Sequence, residues 1–194
     1  MKRVIVFFLA IGIFFGFSGP VFAEEQHSID KRGSYRVYSQ NIFEGKQQMK
    51  RGEFQRAQTY FVKALETMAL PEALAFAATA SYKINDLKAA EGYVAEAEKK
   101  DTGSVTKLRI AGYKALVYLK EGRENEGMKA LQEYSNLYGH LDPLINIQEV
   151  QGMIMRRNVD LQRLEVLLDE QITWHEEEIE QYEKTGTGFY GRYN

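Results

Sequence analysis

The 194-residue sequence predicts an all-α fold, a solenoid of helix–turn–helix repeats closed by a long C-terminal capping helix. Two observations point there. Apolar residues recur at spacings of three and four through most of the chain, which is the period of amphipathic helices. Short polar turns interrupt that pattern at Arg51-Gly52-Glu53, Asn85-Asp86 and Glu121-Gly122-Arg123, with the turns 33 and then 37 residues apart. Composition narrows the function. There is no cysteine, hence no disulfide, thiolate metal site or cysteine nucleophile. The 25 basic and 27 acidic side chains nearly balance, which argues against electrostatic nucleic-acid binding.

The first element is an address. Lys2 and Arg3 precede an apolar run from Val4 to Phe17, broken by Ser18-Gly19-Pro20 and ending Val21-Phe22-Ala23. A basic start, a short apolar stretch and small residues before Glu24-Glu25 describe a secretory signal peptide, residues 1–23, cleaved after Ala23. The alternative is an uncleaved membrane anchor, for which the run is short and interrupted. No cysteine follows it, so a lipoprotein is excluded. The expected location is the periplasm or the outside of the cell. Residues 24–37 read as a flexible linker.

Residues 38–141 hold three stretches that align. Each has an apolar-periodic helix, a polar turn and a second such helix. Gly52, Asn85 and Gly122 occupy the same slot, where a helix ends in a left-handed residue that glycine and asparagine tolerate best. Gly45, Ala78 and Ala115 share a small-residue slot seven positions earlier. One hairpin cannot bury its own apolar face, but stacked neighbours bury it for each other.

The pattern resembles the tetratricopeptide repeat, a helix–turn–helix unit of about 34 residues. Gly45, Gly52, Phe54, Ala57, Phe61 and Ala64 carry the likeness in the first repeat. Ala78, Asn85, Leu87, Ala90, Val94 and Ala97 carry it in the second. Ala115, Gly122, Gly127, Leu131 and Tyr134 carry it more loosely in the third. The family's aromatic near the start of the first helix is missing; Asn41, Leu74 and Ala111 stand there, and extra residues around Val105-Thr106-Lys107 precede the third repeat. The resemblance implies a right-handed solenoid whose first helices line a concave groove. By position that groove presents Ile42, Lys46, Met49 and Lys50, then Ala75, Thr79, Tyr82 and Lys83, then Arg109, Gly112, Leu116, Leu119 and Lys120. Lys50, Lys83 and Lys120 share one repeat position, so they form either a basic ladder or the polar residue usual before a turn. The asparagines of the carboxylate clamp used by some members are not matched. What remains suits an extended or helical peptide.

Residues 142–184 read as two further helices. Asp142 and Pro143 are a good N-cap and first helical residue for one that carries Leu144, Ile147, Val150, Ile154 and Met155 and ends at Arg156-Arg157-Asn158. The second, over 159–184, has an apolar stripe of Leu161, Leu164, Leu168, Ile172, His175, Ile179 and Tyr182 and caps the last repeat. Beyond Gln171 it is long enough to project past the domain. From Glu165 to Lys184 there are eight acids and one base. That reads either as a solvated face or as a dock for a basic partner or a second copy. The tail 185–194, with Phe189, Tyr190 and Tyr193, is a frayed end or a short binding motif.

Candidate chemistry is sparse. His27, His140 and His175 are scattered, and no three ligands fall at zinc spacing. No nucleophile elbow, phosphate loop or dinucleotide fingerprint occurs. No catalytic residue, metal or cofactor is therefore expected. The expectation is a non-enzymatic, exported adaptor or assembly factor that binds a protein or peptide through the groove and binds no nucleic acid. Membrane contact is expected only through the signal segment. The alternatives are a structural protein that self-associates through the 159–184 helix, and an accessory subunit of an envelope enzyme.

Overall fold

The computed structural model describes residues 20–101, 103, 106–137 and 145–186. Among these residues there are eight helices and no strand: α1 (Pro20–Lys50), α2 (Phe54–Thr67), α3 (Pro71–Lys83), α4 (Leu87–Lys100), α5 (Lys107–Lys120), α6 (Glu124–Asn136), α7 (Ile147–Arg156) and α8 (Leu161–Thr185). Helices α1 and α2, α3 and α4, and α5 and α6 pack as antiparallel hairpins, and each hairpin packs on the next.

The three hairpin turns share one geometry. Gly52, Asn85 and Gly122 all take positive φ, at 74°, 64° and 76°. In each turn that residue donates its N–H to the carbonyl three residues back, and the next residue donates to the carbonyl five residues back. These bonds are Gly52 to Met49 and Glu53 to Gln48, Asn85 to Tyr82 and Asp86 to Ser81, and Gly122 to Leu119 and Arg123 to Tyr118. Such paired bonds satisfy helix-end carbonyls that would otherwise lack partners. The repeat slots are equally consistent. Ala57, Ala90 and Gly127 are buried in the second helices, as are Phe61, Val94 and Leu131, and Ala64, Ala97 and Tyr134.

Gly45 is where the first hairpin closes most tightly. A Cβ there would sit 2.4 Å from the Phe61 ring, so only glycine admits the aromatic. Phe61 also stacks on Phe76 of α3, with ring centroids 5.4 Å apart, which ties the first hairpin to the second. Helix α3 is buried at every residue from Ala73 to Tyr82. Its Ala73, Phe76, Ala77 and Ala80 join a core shared with α1 and α2, while Leu74, Ala75, Ala78 and Tyr82 join a larger core shared with α4 to α8. A helix that is apolar on all sides is one that lies between two cores.

Three expectations are corrected at the ends of elements. Residues 24–37, expected as a linker, fall inside α1, which starts at Pro20. Proline suits the first helical position because its missing N–H has no partner there to lose. The penultimate helix begins at Ile147, after Asn146 in a left-handed conformation, and Met155 is 79% exposed instead of packing inward. The final helix does not project as a bare extension beyond Gln171: His175 is buried and Glu176 is bonded to α5. Residues 1–19, Asp142, Pro143, Leu144 and the tail from 187 onward lie outside the described residues, and with them most of the expected signal segment and the tail aromatics.

Candidate functional site

The first helices of the hairpins, α1, α3 and α5, neighbour one another, and α8 packs on α5 and reaches α3 through side chains. Helix α8 starts with Asp160 as N-cap, its carboxylate accepting from the Arg163 N–H at 3.0 Å. Leu164, Leu167, Leu168 and Ile172 then enter the larger core, each at 0–1% exposure. Full burial of such a side chain is worth about 1.5–3 kcal/mol, so these residues anchor the first half of α8 firmly. Gln171 adds polar fixation. It accepts from the Tyr134 hydroxyl at 2.7 Å and donates to the Ile145 carbonyl at 2.7 Å.

The acids of α8 meet cations and hydroxyls of the hairpins in register. Glu165 accepts from Lys83 at 2.6 Å and from the Tyr82 hydroxyl at 3.0 Å. Asp169, one turn on, accepts from Lys83 and from the Tyr113 hydroxyl. Glu176 takes both arms of the Arg109 guanidinium, at 2.8 and 2.7 Å, while a third nitrogen of Arg109 donates to the Thr79 hydroxyl at 3.2 Å. Bidentate guanidinium–carboxylate pairing of this kind is among the stronger polar contacts in proteins. Aromatic faces complete the arrangement. Arg109 lies over the Phe76 ring at 4.3 Å, Lys46 over the same ring at 4.6 Å, and Lys120 over the Tyr82 ring at 4.3 Å.

The ionisation of these groups follows from the pairing. Burial by itself would lower the Lys83 ammonium pKa, but Asp169 and Glu165 outweigh it and raise the pKa above the ordinary lysine value. Burial would likewise raise the Glu165 pKa, and Lys83, Tyr82 and Lys120 together bring it below the usual carboxylate range. Burial, reinforced by the neighbouring carboxylates, pushes the Tyr82 and Tyr113 hydroxyls up, so both remain protonated donors. Glu180 is held low by Lys184, and further by the charges of Lys46 and Lys50 on α1. His175 goes down through burial, against the pull of Glu176.

The groove residues expected from the sequence fall into two groups. Ile42, Thr79, Tyr82, Arg109 and Leu116 are buried, and of these Tyr82 and Arg109 bond to α8. Lys46, Met49 and Lys83 are half-buried, and Lys50 and Lys120 are exposed. Lys83 and Arg109 are brought together with α8. Lys46 turns instead to Glu72, at 2.7 Å, on a carboxylate that also accepts from the Tyr38 hydroxyl. Tyr113 and Phe76 belong to the same arrangement and were not among the expected groove residues. They share one repeat position with Phe43, an aromatic in every hairpin, and that periodicity was the available signal. On the acid face of α8, Glu165, Asp169 and Glu176 are engaged by their own chain.

Among the described residues no group of three histidine, aspartate or glutamate side chains is placed to hold a metal ion, and no helix is long and apolar enough to cross a membrane. No family model, curated protein or solved structure matches the chain.

Proposed function

We propose that the protein is an exported, non-enzymatic interaction module, a right-handed solenoid of three tetratricopeptide-like hairpins that receives a segment of another protein on the face formed by α1, α3 and α5. Its role on this reading is that of an adaptor or assembly factor. The observation that supports it is the seating of α8. A face lined by Lys83, Arg109, Tyr82, Tyr113 and Phe76 accommodates an amphipathic helix and pairs with its carboxylates. A surface built this way suits helix-in-groove recognition, with apolar anchors and charge complementarity combined. Lys50, at the α1 end, is exposed, while Lys46 beside it is half-buried and paired with Glu72.

Self-association through the final helix competes with this reading. The engaged acids leave a second copy only the outer side of α8, which carries Val166, Glu170 and Glu177.

A photo-crosslinking residue at position 50, introduced in the native cells, tests the proposal against a control at Lys99 on the exposed side of α4. Crosslinks from position 50 to one other protein, absent from position 99, are expected. Crosslinks from position 50 only to copies of this chain would replace the adaptor by a self-assembling protein.

A further inference from the structure

We propose that copies of this chain join end to end, the exposed side of α1 in one copy packing antiparallel against the outer side of α8 in the next. The contact uses the two ends of the row of hairpins and leaves the bonds of Lys83 and Arg109 intact. It therefore goes beyond the reading of the α1–α3–α5 face and does not depend on it.

The first hairpin carries residues suited to a predecessor. In the second hairpin, Phe76 meets Phe61 and Lys46 of the first, and the Ser81 hydroxyl accepts from Gln58 of the first at 2.8 Å. Phe43 and Gln48 hold those same two repeat positions in the first hairpin. Phe43 is 59% exposed, and Gln48 has a buried Oε1 that no donor reaches. Solenoids ordinarily close their ends with a polar outer face. This one begins with an exposed aromatic.

The other end of the same chain supplies what fits there. Among the described residues the exposed large apolar side chains are Tyr35, Val37 and Phe43 on α1 and Ile145, Met155 and Val166 around α7 and α8, with none on α2 to α6. Charge divides in the same way. Arg32 and Arg36 on α1 are exposed and make no ion pair among the described residues, and the same holds for Glu170 and Glu177 on α8.

The spacings match. Arg32, Arg36 and Phe43 fall within about 40° of one another on one side of α1, as do Val166, Glu170 and Glu177 on α8. Arg32 and Phe43 are eleven residues apart, and so are Val166 and Glu177, about three helical turns in each case. Antiparallel pairing then sets Phe43 on Val166 and Arg32 opposite Glu177, with Arg36 within one turn of both Glu170 and Glu177. Apolar surface is covered and each free cation gains an acid, which fixes both orientation and register. The two surfaces differ, so the contact is heterologous. Copies continue into an open chain or close into a ring.

The chain has no cysteine of its own, so introduced thiols report the contact directly. Gln47→Cys and Gln162→Cys lie opposite each other in this register, about one turn from Phe43 and Val166. Mixed in the presence of oxidised glutathione, the two full-length variants are expected to give a linked dimer, in at least tenfold higher yield than either variant alone. Equal yields from one variant alone would mean that like surfaces meet, and would overturn the proposal. Sedimentation over a range of concentrations is the second arm. Arg32→Glu with Arg36→Glu, and separately Glu170→Arg with Glu177→Arg, are each expected to weaken the wild-type association at least tenfold. An equimolar mixture of the two doubly reversed proteins is expected to recover it, because each then offers the charge that the other needs. A wild type that stays monomeric throughout, reversals without effect, or a mixture that fails to recover would each overturn the proposal.

Discussion

Arg109 on α5 and Glu176 on α8 form a bidentate pair across 67 residues of sequence, and the two partners are unequally buried, at 7% and 20% side-chain exposure. That inequality makes the pair asymmetric toward mutation. Glu176→Ala strands a guanidinium that has little access to water, and breaking a buried pair in this way costs about 3–5 kcal/mol. Arg109→Met leaves Glu176 nearer to solvent and places an apolar chain on Phe76, so it should cost less. Urea denaturation of the two variants checks the order, and equal losses would contradict it.

Gly45 and Phe61 predict a compensating pair. Gly45→Ala drives a Cβ into the aromatic ring, and overpacking of this kind costs about 1–3 kcal/mol. The third hairpin has Ala115 and Leu131 in the corresponding slots, both buried. Gly45→Ala should therefore cost markedly less in a Phe61→Leu background than in wild type. A double-mutant cycle by thermal denaturation measures the coupling, and additive losses would deny it.

Arg157 ends α7 with φ at 48°, a left-handed conformation for a residue with a full side chain. Left-handed backbone disfavours a non-glycine residue by about 1–2 kcal/mol. Arg157→Gly should then raise the melting temperature, an outcome rarely expected of a glycine substitution. Asn85→Ala, at the same kind of position in the second hairpin turn, should lower it.

His175 predicts a pH dependence. Its folded pKa lies below the ordinary histidine value because burial penalises the imidazolium. The unfolded chain therefore binds the proton more readily, and stability is fully present above the ordinary value and is lost as pH falls below it. Denaturation midpoints taken at pH 7.5 and 6.0 should fall in wild type and fall less in His175→Gln. A parallel fall in both proteins would assign the effect elsewhere.

The hairpins were legible because their signals are local. A left-handed turn needs glycine or asparagine at one position, and that need shows as a period in the sequence at 52, 85 and 122. The slot for Gly45, Ala78 and Ala115 was visible for the same reason. The basic ladder and the acidic stripe were each visible, but their pairing was not. It joins Lys83 to residues 82 and 86 positions away, and no local pattern encodes such a distance. Leu167 and Gln171 were missed because α8 is buried on a wider front than a single stripe: Leu167 enters the core and Gln171 reaches Tyr134 on α6. The length of α1 was missed because the segment before Tyr38 has no apolar period to announce a helix.

The close fit of Gly45 to the Phe61 ring also says where this chain can be cut and rejoined. A glycine in α1 accepts an aromatic in α2, whereas alanines hold that slot in α3 and α5. Exchanging α2 for another second helix would leave a void beside Gly45, and moving α2 under α3 would set an aromatic against Ala78. Duplication, deletion or grafting should therefore succeed at the junctions α2–α3 and α4–α5, where whole hairpins change hands, and fail at the turns within them.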